Sequence, residues 1–135
     1  MLTKTLSIST KGNAQVLDIT SEVERVVSES RLEEGTVTVF VPGSTAGVTT
    51  IEFEPGCCRD LADLFERIAP EDVDYEHHRR WGDGNGHSHV RAALLGASLA
   101  IPFVKRKLCL GTWQQIVLVD FDNRPRRRSV VIQAR

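Results

Sequence analysis

Between Trp81 and Arg91 the chain reads Trp-Gly-Asp-Gly-Asn-Gly-His-Ser-His-Val-Arg, and His77 and His78 stand just before it. All 4 histidines of the protein therefore lie between positions 77 and 89. Neutral imidazoles can hold a divalent cation and can exchange protons near neutral pH. His77 and His89 could converge on an ion if the glycines fold the loop back onto a helix start. His87 and His89 are two apart, so on a helix they point in different directions, and His87 joins only if it precedes the first turn. Asp83 and Asn85 offer oxygen ligands or acceptors for imidazole N–H groups. The spacing matches no standard zinc signature, and a polar loop whose histidines cap a helix is the plainer alternative; the clustering favours a site. A helix N-terminus also suits an anion, and Gly84 and Gly86 would let a phosphate approach the backbone. The string is not G-x-x-x-x-G-K, so it is no nucleotide-binding loop of that kind.

Other stretches carry candidate groups. Pro42-Gly-Ser-Thr-Ala-Gly47 is a small-residue turn that could present Ser44, Thr45 and backbone N–H groups to a phosphate, or merely join two strands. Glu52 follows an uncharged run, and a carboxylate in a buried strand is costly unless paired or bound to metal. In Leu110-Gly-Thr-Trp-Gln-Gln115, Trp113 could stack on a planar ring while Thr112 and Gln114 hydrogen-bond it; a core tryptophan at a strand start is the alternative. Arg124, Arg126, Arg127 and Arg128 crowd around Pro125. Strand alternation sends some of them to one face, where guanidinium forks suit phosphate; a charged edge that resists aggregation is the alternative.

The elements that must position these groups follow from periodicity. Leu2, Leu6 and Ile8 alternate with polar residues as a strand, Lys11-Gly12-Asn13 turns, and Val16 to Ile19 is a second short strand. Ser21-Glu-Val-Glu24 matches a capping box opening a helix that runs to Leu32, with Gly35 beyond. Thr36 to Val41 and Ala46 to Phe53 read as strands, and Arg59 to Ile68 as a helix closed by Pro70. Residues 71 to 86 look structureless, which in a compact domain points to function or disorder. A third helix carries Val90, Ala93 and Leu94 up to Gly96. Strands at Ser98 to Val104, Trp113 to Phe121 and Arg128 to Gln133 finish the chain. The expectation is a single α+β domain over residues 1–135, an antiparallel sheet or sandwich with about three helices.

Composition narrows the function classes. At 135 residues, 41% hydrophobic and 26% charged, the chain can bury its own core. A net charge of −1 gives no general attraction to nucleic acid or acidic membranes. Cys57, Cys58 and Cys109 form no secreted disulfide framework, and no signal peptide or membrane span is visible, so a reduced cytoplasmic setting is expected.

Together, Pro42–Glu52, Trp81–Arg91, Leu94-Leu-Gly-Ala-Ser98, Leu110–Gln115 and Asp120-Phe-Asp-Asn-Arg-Pro-Arg-Arg-Arg128 resemble the YjbQ-like proteins, small prokaryotic domains known as secondary thiamine-phosphate synthases. Order and spacing hold over nearly the whole chain. The resemblance implies a compact α+β fold with a β-sandwich and a homotrimer with sites near subunit interfaces. It implies a bound divalent metal, zinc or magnesium, on His77 and His89, with Glu52 and Asn85 nearby. Many members carry a histidine in place of Gly43, in a His-Thr-Ser-Ala type segment, and His87 is the candidate replacement here. The implied activity joins a pyrimidine pyrophosphate to a thiazole phosphate and releases pyrophosphate. Such chemistry needs charge neutralisation on the leaving group and a pocket that aligns two rings.

The expected enzyme is thus a metal-assisted transferase on phosphorylated small molecules. His77, His89 and His87 hold metal; Glu52 is a ligand or general base; Asn85, Thr112 and Gln114 serve the reaction. Ser44, Thr45, Gly86, Arg126 and Arg128 bind phosphate, and Trp113 holds a ring. A metal-dependent phosphoester hydrolase and a non-catalytic metabolite-binding trimer are the alternatives.

Overall fold

A computed structural model describes residues 1–135. The chain runs β1 (Leu2–Thr10), β2 (Gln15–Asp18), α1 (Thr20–Ser30), β3 (Glu34–Phe40) and β4 (Ala46–Ile51). Three helices follow, α2 (Pro55–Ile68), α3 (Glu76–Trp81) and α4 (Gly86–Leu95). The chain ends with β5 (Ser98–Val104), β6 (Lys107–Leu108), β7 (Gln115–Asp120) and β8 (Arg126–Ala134). One sheet has the order β1-β8-β3-β5-β6 and the other β2-β7-β4, and every pairing is antiparallel. The expected α+β class holds.

The apolar pattern explains the layers. Ile116 and Leu118 of β7 meet Val37, Val39, Val130 and Ile132 of the larger sheet in the main core, which Val23, Val26 and Val27 of α1 complete. Val117 and Val119 point the other way and pack with Phe121, Phe65 of α2 and Ala92 of α4. So β7 is buried on both faces, as its unbroken Ile-Val-Leu-Val run requires. No helix is long and apolar enough to cross a membrane.

Several boundaries differ from expectation for identifiable reasons. There are four helices: α3 interrupts the stretch expected to be structureless, and α4 starts at Gly86. The second helix begins at Pro55, four residues early, because Glu54 caps it by accepting from the N–H groups of Gly56 and Cys57 at 2.8 and 2.7 Å. Those donors hold the Glu54 carboxyl below its usual pKa. Proline at the first helical position is itself a start signal. The capping box does not form; Asp18 Oδ1 instead accepts from Thr20 N and Oγ1, at 2.9 and 2.6 Å. That helix ends at left-handed Arg31, and Gly35 lies inside β3. Strand β4 stops before Glu52, and β7 begins after Trp113.

Leu118 is fully buried at the centre of the middle strand of the smaller sheet. Leu118→Ala is expected to cost about 2–5 kcal/mol, read from the urea midpoint; a loss under about 1 kcal/mol would contradict this packing.

Candidate functional site

Strand parity builds the floor of the site. On β8 the residues Val130, Ile132 and Ala134 point into the core, so Arg128 and Arg126 lie on the inward side and Arg127 on the other. On β7, Asp120 shares the face of Ile116 and Leu118. Arg128 of one sheet therefore meets Asp120 of the other at the end of the sandwich. Its Nε and Nη2 donate to the two Asp120 oxygens at 2.7 and 2.9 Å. Thr10 Oγ1 donates to Asp120 at 2.6 Å, and the Asp122 N–H does so at 3.0 Å. Burial alone would raise the Asp120 carboxyl; Arg128, Thr10 and that N–H outweigh it and hold its pKa below the ordinary value. The Asp120 contacts in turn raise the Arg128 pKa.

Asp122, fully buried, is the next joint. Its Oδ2 accepts from Thr45 Oγ1 at 2.9 Å and from Arg126 Nε at 3.0 Å, and its Oδ1 from the Arg124 N–H at 3.2 Å. Burial pushes its carboxyl up, but Thr45, Arg126 and Asn85 prevail and lower its pKa. Asn85 ties this turn to α4: its Oδ1 accepts from Asn123 N at 3.2 Å. The single Ser88 hydroxyl proton is offered to Asn85 Oδ1 or the Phe121 carbonyl, each 2.5 Å away. Asn123 Nδ2 reaches the Asp83 carbonyl at 2.8 Å.

On this frame α3 and α4 bring His77 and His89 together, with ring centroids 4.3 Å apart. The close approach depends on Gly86, whose missing β-carbon leaves room for the Tyr75 ring; a β-carbon there would lie 2.5 Å from Tyr75. His77 Nδ1 is buried without a hydrogen-bond partner, 3.5 Å from Asp83 Oδ1. Burial and the neighbouring His77 lower the His89 pKa, against weaker opposing effects of Asp83, Asp122 and the Ser44 backbone. The shift favours the neutral imidazole, the form that binds a metal. Gly43, Ser44 and His89 line a cavity of about 330 Å³, walled by alanines of α4.

Other expected members are placed elsewhere or already engaged. His87 lies inside α4, 1% exposed, so its ring leaves the pair as helix geometry dictates; burial and Arg91 lower its pKa. The Gly86 N–H donates to His78 Nε2 at 3.2 Å and is not free for phosphate. The Thr45 hydroxyl is enclosed between Asp122 and Arg128, and the Asn85 carbonyl between Ser88 and Asn123. Glu52, Thr112, Trp113 and Gln114 sit at the other end of β7, because Ala46 pairs with Asp120 but Ile51 with Gln115. Six strand residues separate the two ends, about 17 Å. Glu52 is exposed, Trp113 is 72% exposed rather than a core residue, and Gln114 bonds Thr50 and the Gly111 N–H. Glu52 and Trp113 line a separate cavity of about 420 Å³. No three His, Cys, Asp or Glu side chains converge to hold a metal, so the expected closure of Glu52 or His87 on the histidine pair fails within one chain.

Asp120 and Asp122 were the joints that sequence reasoning passed over. Their signal is plain: carboxylates at the end of an apolar strand, Ile-Val-Leu-Val-Asp-Phe-Asp, must be paired.

The family model described as UPF0047 protein YjbQ-like matches residues 4–135. The chain belongs to the YjbQ-like UPF0047 family. A UPF0047 protein of Archaeoglobus fulgidus is 39% identical over 96% of this chain and 98% of its own length. UPF0047 protein YugU of Bacillus subtilis is 33% identical over 96% of each chain. Among solved structures, a hypothetical protein of Aeropyrum pernix superposes with a TM-score of 0.91 at 32% identity, covering 100% of this chain and 98% of that one. An uncharacterized conserved UPF0047 protein of Clostridium acetobutylicum gives 0.89 at 35% identity, covering 98% and 99%.

In this UPF0047 chain, Asp120→Asn leaves a buried guanidinium without its carboxylate and is expected to cost about 3–5 kcal/mol in chemical denaturation. The sign with pH follows from the depressed carboxyl. The pair's stabilisation is complete above the unfolded Asp pKa of about 3.9 and is lost as pH falls through the lower folded value. An acid-unfolding curve no shallower in the variant than in the parent would contradict this.

Proposed function

We propose that this protein is a metal-assisted transferase acting on phosphorylated small molecules, of the kind that joins a pyrimidine pyrophosphate to a thiazole phosphate and releases pyrophosphate. The observation that carries this reading is the His77–His89 pair, 4.3 Å between rings, with a buried His77 nitrogen lacking a partner. Two imidazoles fit a zinc-class ion better than magnesium, which prefers oxygen donors. A divalent ion held by His77 and His89 would supply charge neutralisation for a leaving pyrophosphate.

The chain's own groups have definable parts. Arg126, fixed through Nε by Asp122 and with its side chain 37% exposed, presents the rest of its guanidinium to a phosphate. Ser44 is exposed at the cavity mouth and offers a hydroxyl. Asn85 and Asp122 hold the loops in place. Trp113 and Glu52 enter the same site only through a second copy, since within one chain they lie at the opposite end of β7. A homotrimer whose sites span subunit boundaries provides that meeting: the indole of one copy stacks on the ring, and the histidine end of the next receives the phosphates.

Equilibrium dialysis with zinc tests the first half. His77→Ala and His89→Ala are each expected to weaken binding by at least roughly tenfold, since each removes one imidazole from a two-imidazole set; unchanged binding would remove the metal from the reading. Pyrophosphate release from the two thiamine precursors, run beside a phosphoester panel, tests the second half. Trp113→Ala is expected to raise KM for the ring substrate while leaving zinc binding intact. Turnover only on phosphoesters would overturn the transferase in favour of a hydrolase.

A further inference from the structure

Arg128 is 9% exposed, yet its guanidinium is not fully engaged. Nε and Nη2 bond Asp120, and Nη2 also bonds Thr45 Oγ1 at 2.6 Å. No hydrogen bond of the chain uses Nη1. The only sealed side-chain nitrogens without a partner are His77 Nδ1 and His87 Nδ1, so unpaired Nη1 must reach solvent. Gly43 stands over it: a β-carbon built on Gly43 would lie 3.2 Å from Nη1. Gly43 also has φ +132°, a conformation that side-chain-bearing residues rarely adopt. Gly43 lines the cavity with Ser44 and His89, whereas Arg128 does not, so the missing Gly43 side chain is what leaves room beside Nη1.

We infer that this gap is an oxyanion site: Arg128 Nη1, reached past Gly43, donates to one oxygen of a phosphate group seated beside Ser44 and His89, and Gly43 determines which anions fit. The inference deepens the phosphate half of the function proposed above and does not need the metal. Most arginines that bind phosphate must first give up rotamer freedom. Arg128 has already done so, because Asp120 and Thr45 fix its plane from below, leaving one edge free. The two buried aspartates and the two inward arginines balance in charge, so the cluster does not attract anions indiscriminately. Selection comes from the one free N–H edge and the width of the gap above it. Any side chain at position 43 would stand in that gap, so glycine here keeps the guanidinium accessible.

The test is a titration of the full-length protein with inorganic phosphate in the presence of EDTA, following the arginine side-chain resonances by ¹⁵N NMR. The guanidinium protons of Arg128 are expected to shift saturably, since burial slows their exchange enough for them to be seen. Gly43→Ala is expected to weaken phosphate binding by roughly tenfold or more, the loss of one charge-assisted hydrogen bond. Failure of Arg128 to move, movement of Arg126 alone, or a folded Gly43→Ala protein binding as tightly as the parent would each overturn the inference. The wild-type titration decides the question even where the variant does not fold. Because no metal is present, a failed metal site and a failed anion site give different results. Pyrophosphate in place of phosphate shows whether the gap takes a terminal phosphate or one of a linked pair.

Discussion

The Arg128–Asp120 ion pair joins the two sheets at one end of the sandwich, and the candidate site is built on it. Asp120 ends a strand whose other inward residues, Ile116 and Leu118, are apolar, and Arg128 precedes inward Val130, Ile132 and Ala134 on β8, so the pair lies where the core would otherwise meet water. Removing two charges from water costs several kcal/mol per ion, and apolar replacements of such pairs are often neutral or stabilising. Stability alone therefore does not account for Asp120, Asp122, Arg126 and Arg128 being gathered here. What they impose is position. Every Asp120 oxygen is bonded, and the Asp122 N–H that helps bond it starts the turn that leads into β8.

From that turn the constraint passes outward through hydrogen bonds rather than through packing. Asp122 takes the Thr45 hydroxyl and so fixes the Pro42–Thr45 loop. Asn123 holds Asn85 and Asp83, and through them the start of α4 and the end of the loop after α3. The Tyr75 ring fits against Gly86, and its hydroxyl bonds the Pro70 carbonyl at 2.7 Å, which anchors the segment before α3. Arg91, buried in α4, reaches the Ala69 carbonyl and the Glu66 carboxylate of α2. The His77–His89 contact is the outcome of these ties. Its imidazoles sit on helix residues whose backbones are held from both sides, which is the condition for a site with fixed geometry.

Much of this was legible in the sequence, and the failures share a cause. Alternation marks the half-buried strands, because it records burial directly: Val37, Val39 and Val41 point one way; the unbroken apolar run of β7 instead marks a strand buried on both faces. Alternation implies only that some of the four arginines share a face; because β8 begins at Arg126, two residues before the expected start, Arg126 joins Arg128 on the inward side and Arg127 faces out. A buried charge is costly, but β4 has already ended at exposed Glu52, whereas Asp120 closes β7 and Asp122 lies just beyond it, and both are fully buried. Strand ends depend on pairing with distant residues, which one sequence does not show. Trp113 was open to both readings for the same reason: a two-residue shift in the start of β7 moves it from core to solvent. Helix α3 leaves no sequence signal because five of its six residues are polar and the sixth, Trp81, makes no apolar stripe; it is held against α4. The histidine pair could be named from clustering, but its exclusion of His87 follows from Gly86 being already helical.

One geometric fact constrains any account of activity. The histidine end holds charged, firmly held groups: two imidazoles, a fixed Arg126 and a loop pinned by Asp122. The far end of β7 holds the groups suited to a ring: an exposed indole, a threonine and a carboxylate beside a cavity of about 420 Å³. A strand buried on both faces cannot bend to bring its ends together, so no internal motion of one chain unites them without breaking the core. On the proposed reading, association of copies is then part of the chemistry rather than an aid to stability. It also divides the tasks. Binding of phosphate depends on hydrogen bonds within one chain, whereas recognition of the ring depends on how accurately a neighbour is docked. Substitutions at the subunit boundary should therefore alter which ring is accepted before they alter whether phosphate binds.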